Sequence, residues 1–157
     1  MKIECWFIGK TNEQYLKEGM EIYQKRIRRY HKLDYLIIPN IKNTKHLSRE
    51  EIKQKEGLLI LSKVQASDNL ILLDEQGKEF SSAQFSAFLN RQFVHTQSRL
   101  IFLVGGAYGF SEAIYQRANH SISLSKMTFS HQMVRLFFLE QFYRAMTILN
   151  NEPYHNQ

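Results

Sequence analysis

Runs of uninterrupted apolar residues alternate along the whole chain with segments whose apolar positions recur every three or four residues. The runs are KIECWFIG (2–9), DYLIIP (34–39), NLILLD (69–74), RLIFLVG (99–105) and SISLS (121–125). A strand with one face in water alternates apolar and polar residues; continuous apolarity predicts strands covered on both faces. Such strands separated by helices predict an α/β fold with a mostly parallel sheet flanked by helices. No low-complexity linker or internal repeat interrupts the pattern.

The first helix is expected at about Asn12 to Tyr30, where Leu16, Met20, Tyr23, Ile27 and Tyr30 form one stripe. A second opens at SREE, with Ser48 and Glu51 in the positions of a capping box, and runs to about Val64. A third begins at Ser81 or Ser82 and ends near Phe93, and a short fourth starts at Ser111. The last segment, SHQMVRLFFLEQFYRAMTILNN, is apolar on more than one face, since Met133, Phe137 and Met146 point differently from Val134, Phe138, Phe142 and Leu149. One sheet face does not bury all of that, so a second copy of the chain is the expected cover; the alternative is a central helix of the monomer.

At 157 residues the chain fits a single domain, 1–157, that buries roughly two-thirds of its unfolded surface. The lone Cys5, in an apolar strand, reads as a small core hydrophobe and points to a reducing, cytoplasmic compartment. The start MKIECWFIGK lacks the features of a signal peptide, and no window approaches the roughly 18 apolar residues of a spanning helix, so no membrane is expected. The six histidines lack the paired spacings of a zinc site, so no metal is expected.

Charge adds more. Residues 1–66 hold 14 Lys and Arg against 8 Asp and Glu, whereas residues 67–157 hold 7 of each, so the whole excess of +6 lies in the basic first half. Lys25, Arg26, Arg28, Arg29 and Lys32 cluster at the end of the first helix beside Tyr30 and His31. That cluster suits the helix dipole and equally suits phosphates, which favours a polyanion on one side of the molecule.

Three expected strand ends carry unusual residues: Leu73 to Lys78 (LDEQGK), Gly105 to Gly109 (GGAYG), and Ser123 to Arg135 (SLSKMTFSHQMVR). Ligands of parallel α/β sheets sit at the carboxyl ends of strands, so these loops are expected to form one site. GGAYG matches neither the dinucleotide fingerprint nor the phosphate-gripping loop of nucleoside triphosphatases. Taken alone, the glycine pair is also compatible with an ordinary turn.

In order and spacing, LLD, LVGG with Gly109, SLSKMTFSHQMVR, YRA (143–145) and PYH (153–155) resemble the ribosomal RNA large-subunit methyltransferase H family of the SPOUT superfamily, over essentially the whole chain. The resemblance implies a homodimeric, S-adenosylmethionine-dependent enzyme of the cytoplasm that methylates N3 of a pseudouridine in 23S ribosomal RNA within the assembled ribosome. It also implies a C-terminal trefoil knot in the region 67–157, which physics alone would not suggest because knots are nearly absent from proteins. Its cofactor contacts fall on Leu73, Gly105, Leu124, Ser125, Lys126, Met127, Thr128 and Phe129.

Methyl transfer to a ring nitrogen needs alignment and an answer to the nitrogen's proton: a base that removes it, or a group that stabilises the anion as it forms. The candidates are Tyr154, His155 and Arg135, with Glu140 and His131 nearby in sequence. A noncatalytic RNA-binding module is the competing reading, for which the basic half suffices. The chain departs from the family's pattern at SHQ (130–132), where Pro-His-Pro is common, and at AYG (107–109), where Pro-Glu-Gly is common. Loss of two prolines is expected to loosen the entrance of the last helix.

Overall fold

A computed structural model describes residues 1–156. Five strands form one all-parallel sheet: β1 (Lys2–Ile8), β2 (Leu33–Ile38), β3 (Asn69–Glu79), β4 (Arg99–Val104) and β5 (His120–Ser123), in the order β2-β1-β4-β3-β5. The helices are α1 (Gln14–Ile27), α2 (Arg49–Leu61), α3 (Ser82–His95), α4 (Glu112–Arg117) and α5 (Met133–Leu149). A short 3-10 turn, Thr44–His46, precedes α2.

The continuous apolar runs have the expected cause. Every residue of β1 after Lys2 is buried, because Ile3, Cys5 and Phe7 meet α1, α3 and α5 on one face while Trp6 and Ile8 meet α2 and α4 on the other. The crossovers β1→β2 and β3→β4 run one way along the sheet with α1 and α3 on the first face; β2→β3 and β4→β5 run the other way with α2 and α4 on the second. This division gives all four connections the same hand. Burial pushes the Cys5 thiol well above its ordinary range, so it behaves as a core hydrophobe.

The expected capping box forms, Ser48 with Glu51 at the start of α2, and a second one that the sequence reading did not name, Ser81 with Gln84, starts α3. Two boundaries differ from the sequence reading in ways that matter. β3 does not stop at Asp74 but swings out and re-pairs, so that Leu73 and Lys78 both oppose Ile122 of β5. β5 ends at Ser123, leaving Leu124 and Ser125 in the following loop.

From β5, at the edge of the sheet, the chain travels back to the carboxyl end of β1 before it enters α5. This path is compatible with the knot that the resemblance implies. The entrance of α5 is not loosened by the missing prolines. Ser130 Oγ accepts from the Met133 amide at 3.0 Å, and Gln132 bridges the Asn12 amide at 2.9 Å and the Lys10 carbonyl at 3.1 Å. Side-chain hydrogen bonds here do what a fixed φ does in proline.

α5 lies on the sheet between α1 and α3, where Phe138 and Phe142 pack on Phe102 at 5.0 and 5.7 Å between ring centroids. Phe138, Leu139, Phe142, Ala145 and Met146 are thereby buried within one copy of the chain, so the central-helix alternative accounts for most of this segment's apolar surface, including Met146. Left facing outward is Phe137, 40% exposed, its ring tilted against that of Phe129 at 5.0 Å between centroids, Phe129 itself being 36% exposed.

Candidate active site

The three suspect loops line one cleft of about 820 Å³ at the carboxyl ends of β3, β4 and β5. Small-molecule sites commonly occupy roughly 300–1,000 Å³. β3 contributes Leu73, Asp74, Glu75 and Gln76 because its ladder opens at these residues. β4 contributes Val104 and the turn from Gly105 to Phe110, in which Gly109 takes φ +81°, a left-handed conformation that glycine adopts without strain. The crossing loop after β5 forms the remaining wall, with Leu124, Ser125, Met127, Thr128 and Phe129.

Internal hydrogen bonds hold these walls. Ser123 Oγ donates to the Ser125 carbonyl at 2.8 Å, and the Met127 amide donates to Ser125 Oγ at 3.0 Å. Thr128 Oγ1 donates to Glu75 at 2.7 Å and so ties the crossing loop to the β3 excursion. The Tyr115 hydroxyl donates to Asp74, tying α4 to that excursion too. Burial, and then the Asp74 carboxylate, push the Tyr115 phenol well above its ordinary range, so it stays a protonated donor.

The lining is mixed in a particular way. Its walls are aliphatic and aromatic; its polar groups include the carboxylates Glu50, Asp74 and Glu75 and the cations Arg49 and Lys53, which α2 brings from the far side of the sheet. Tyr108, where the family commonly has an acid, carries the Arg49 guanidinium over its ring at 5.1 Å. The cleft therefore has places for a positive centre and for a carboxylate, between apolar surfaces that accept a flat ring.

A family model described as "Predicted SPOUT methyltransferase" matches residues 1–155. The chain belongs to the SPOUT methyltransferase family. It is 55% identical over 157 residues to a Parabacteroides distasonis protein, with all of both chains covered. It is 55% identical over 156 residues to one from Cytophaga hutchinsonii, covering 99% of this chain and 100% of that one, and 55% identical over 157 residues to one from Flavobacterium johnsoniae, again end to end. Each of these relatives is named "Ribosomal RNA large subunit methyltransferase H".

Set against the site expected of a SPOUT methyltransferase, Leu73, Gly105, Leu124, Ser125, Met127, Thr128 and Phe129 all line the cleft, while Lys126 is exposed and outside the lining. Sequence reasoning passed over Arg49, Lys53 and Tyr115, since nothing in their local context links α2 or α4 to a loop some distance along the chain. Asp74 and Glu75 lie inside the quoted LDEQGK stretch, and their acidity beside a glycine turn was the available signal.

Arg135, Tyr154 and His155 do not line the cleft. Arg135 is fully buried, donating to the carbonyls of Ile8 at 2.7 Å, Gly9 at 2.9 Å and His131 at 3.2 Å and to Thr11 Oγ1 at 3.1 Å. Burial lowers its guanidinium to about 10. Its donors are taken by the end of β1 and the entrance of α5, which makes it a clamp between those elements. His131 does reach the rim, and burial followed by the charge of Arg135 lowers its imidazole.

Tyr154 and His155 fold back on α5. Tyr154 stacks edge-on against Tyr143 at 4.7 Å and donates to Glu140 at 3.0 Å; Arg144 contacts His155 Nδ1 at 3.0 Å and Glu140 at 2.5 Å. Tyr143 in turn lies near Tyr23, Tyr30 and the Arg26 guanidinium, so the tail sits beside the basic end of α1. α1 descends from the carboxyl end of β1 to the amino end of β2, which sets this basic end away from the chain's own cleft.

Proposed function

We propose that this protein is a cytoplasmic homodimer that transfers a methyl group from S-adenosylmethionine to N3 of a pseudouridine in 23S ribosomal RNA within the assembled ribosome. The observation that carries the reading is the cleft itself, apolar-walled and edged with acids and cations at the carboxyl ends of β3, β4 and β5, in a chain matched end to end by relatives named for ribosomal RNA methylation.

The residues of the cleft suit that donor. Leu73, Leu124 and Phe129 offer surfaces for a purine, the turn at Gly105 exposes main chain to it, Asp74 and Glu75 favour a sulfonium and an ammonium, and Arg49 or Lys53 favours a carboxylate. When bound, S-adenosylmethionine supplies an electrophilic methyl carbon: the acceptor nitrogen's electron pair forms the new N–C bond, the S–C pair passes to sulfur, and the nitrogen's proton leaves to water. The chain's own contribution is alignment of the two reactants, an effect worth up to roughly 7–11 kcal/mol in favourable systems.

A second copy completes the site in this reading. The tail residues Tyr154 and His155 and the basic end of α1 lie away from the cleft of their own chain, and the Phe129–Phe137 surface beside the crossing loop is left uncovered. Dimerisation brings the tail and basic end of one subunit to the cleft of the other, where they receive the RNA. Mass spectrometry of ribosomal RNA from a strain lacking the protein tests the function. One missing methyl group is expected, restored by the intact protein and not by Gly105→Arg; no missing methyl group refutes the reading. Calorimetry with S-adenosylmethionine distinguishes the enzyme from an RNA-binding module, since the module gives no saturable heat even at millimolar donor.

A further inference from the structure

Phe110, Tyr115, Phe129 and Tyr108 bring aromatic rings to the cleft, and the first three are engaged within the chain. Phe110 is buried and meets Tyr115 edge-on at 5.8 Å between centroids, Tyr115 is tied by its hydroxyl to Asp74, and Phe129 lies against Phe137. Tyr108 differs: it is 45% exposed, and its ring is met by a charge, the Arg49 guanidinium 5.1 Å from the centroid. The turn that carries it is backed on one side and open on the other. A β-carbon on Gly106 would stand 3.4 Å from the Glu56 carboxylate, whereas one on Gly109 would meet nothing within 4 Å. Gly106 and Gly109 are joined by an antiparallel bridge, which puts Tyr108 at the tip. The buried Leu73, Val104 and Ile122 make the floor of the cleft, so the exposed Tyr108 stands at its mouth.

We propose that Tyr108 is the platform on which the acceptor base stacks as it enters the cleft, and that Arg49 is a positioning residue that holds the ring. This rests on the methyltransferase reading above. N3 of a pyrimidine lies on the pairing edge, so the base must be unpaired and splayed out of its stack before the nitrogen can meet the donor. A base in that state has bare π-faces, and an aromatic side chain replaces the neighbours it has left. Arg49 orders the Tyr108 ring before RNA arrives, which spares the cost of immobilising that side chain on binding. Stacking then fixes the plane of the base and leaves its edge free to face the methyl carbon. With Arg49 so engaged, the donor's carboxylate falls to Lys53, which also lines the cleft. The acid that the family commonly carries at this position has no π-face, so the platform belongs to chains with an aromatic residue at 108.

Methyl transfer to ribosomes lacking the modification, measured with the full-length protein, tests the platform. Tyr108→Ala is expected to lower kcat/KM for ribosomes by about 5–150-fold, the range of one base–aromatic stack, and Tyr108→Phe to stay within about twofold of wild type. Tyr108→Leu, which keeps bulk without a π-face, should fall with the alanine variant. Calorimetry should give all three the wild-type Kd for S-adenosylmethionine, and scanning calorimetry the wild-type melting temperature. Arg49→Gln should lower the same kcat/KM, and the double variant with Tyr108→Ala should be no slower than Tyr108→Ala alone, because Arg49 acts through the ring. A Tyr108→Leu as active as wild type, a loss of S-adenosylmethionine affinity that matches the loss of kcat/KM, or additive effects of the two substitutions overturns the inference while leaving the methyltransferase reading intact. A wild type that methylates no ribosomal RNA overturns that reading and the platform with it.

Discussion

Gly77 lies so close to the main chain of Ile122 that a β-carbon on it would stand 2.6 Å from both the nitrogen and the carbonyl carbon. This contact lets β3 swing out at Asp74 and return to the ladder at Lys78, pairing twice with the same residue of β5. The excursion is what gives the cleft its acidic wall.

Gly77→Ala is therefore expected to destabilise the fold by about 1–3 kcal/mol, as overpacking against an immovable backbone does. Its affinity for S-adenosylmethionine should fall as well, because Leu73 and Leu124 border the displaced segment. Urea denaturation and calorimetry measure the two effects. Stability within about 0.5 kcal/mol of wild type, the range of an unremarkable surface change, would show that the close approach is dispensable.

Arg135 supports structure at a distance from the cleft. Arg135→Met leaves the carbonyls of Ile8 and Gly9 without their donor, and each orphaned buried acceptor costs about 1–3 kcal/mol. The variant is expected to lose thermal stability heavily. A stable, well-folded Arg135→Met that binds the methyl donor normally yet turns over slowly would return the residue to the catalytic list.

The Tyr115–Asp74 hydrogen bond acts on the cleft and little else, since Tyr115 is 39% exposed. Tyr115→Phe is expected to weaken S-adenosylmethionine binding by roughly 2–10-fold, the equivalent of one net hydrogen bond, with the melting temperature nearly unchanged. Titration calorimetry reads the first quantity and scanning calorimetry the second. An unaltered affinity would mean that the β3 excursion holds its shape without this tie.

Phe137 is the test of dimerisation. Phe137→Asp removes the largest outward aromatic of α5 without touching the cleft's hydrogen bonds. Sedimentation is expected to show a monomer that still binds S-adenosylmethionine but no longer methylates ribosomes. A fully active monomer would eliminate the shared site.

At the amino ends of the strands, Arg99 bridges Asp68 at 2.5 Å and Glu4 at 3.6 Å, and Lys2 meets Glu4 at 2.9 Å. Burial alone would raise both carboxyls, but these cations, with the Trp6 indole on Glu4 and the Gln65 amide on Asp68, hold them below their ordinary values. Carboxyls depressed in the fold contribute stability that is complete above their unfolded pKa, near 4, and that disappears as pH falls through the folded value. Denaturation midpoints should drop steeply below about pH 4. In Arg99→Met the drop should be shallower, the neutral-pH stability having already been lost.

Several of these features were legible in residue order. The apolar runs marked the strands because burial on both faces excludes polar residues, and Ser48–Glu51 announced α2 because only paired side chains satisfy its free amides. The glycine turn and the SLSKMTFSHQMVR loop were recognisable as one site because parallel strands end together. What adjacency in sequence could not supply was contact between distant segments. Arg49 and Lys53 reach the cleft only because α2 crosses the sheet; Arg135 became a clamp only because β1 ends beneath α5; the tail met Glu140 and Arg144 only once it folded back. Local pattern determined which elements form, since propensity and burial act over a few residues. Tertiary packing alone decided which side chains face one another, because those meetings depend on where the elements cross in space.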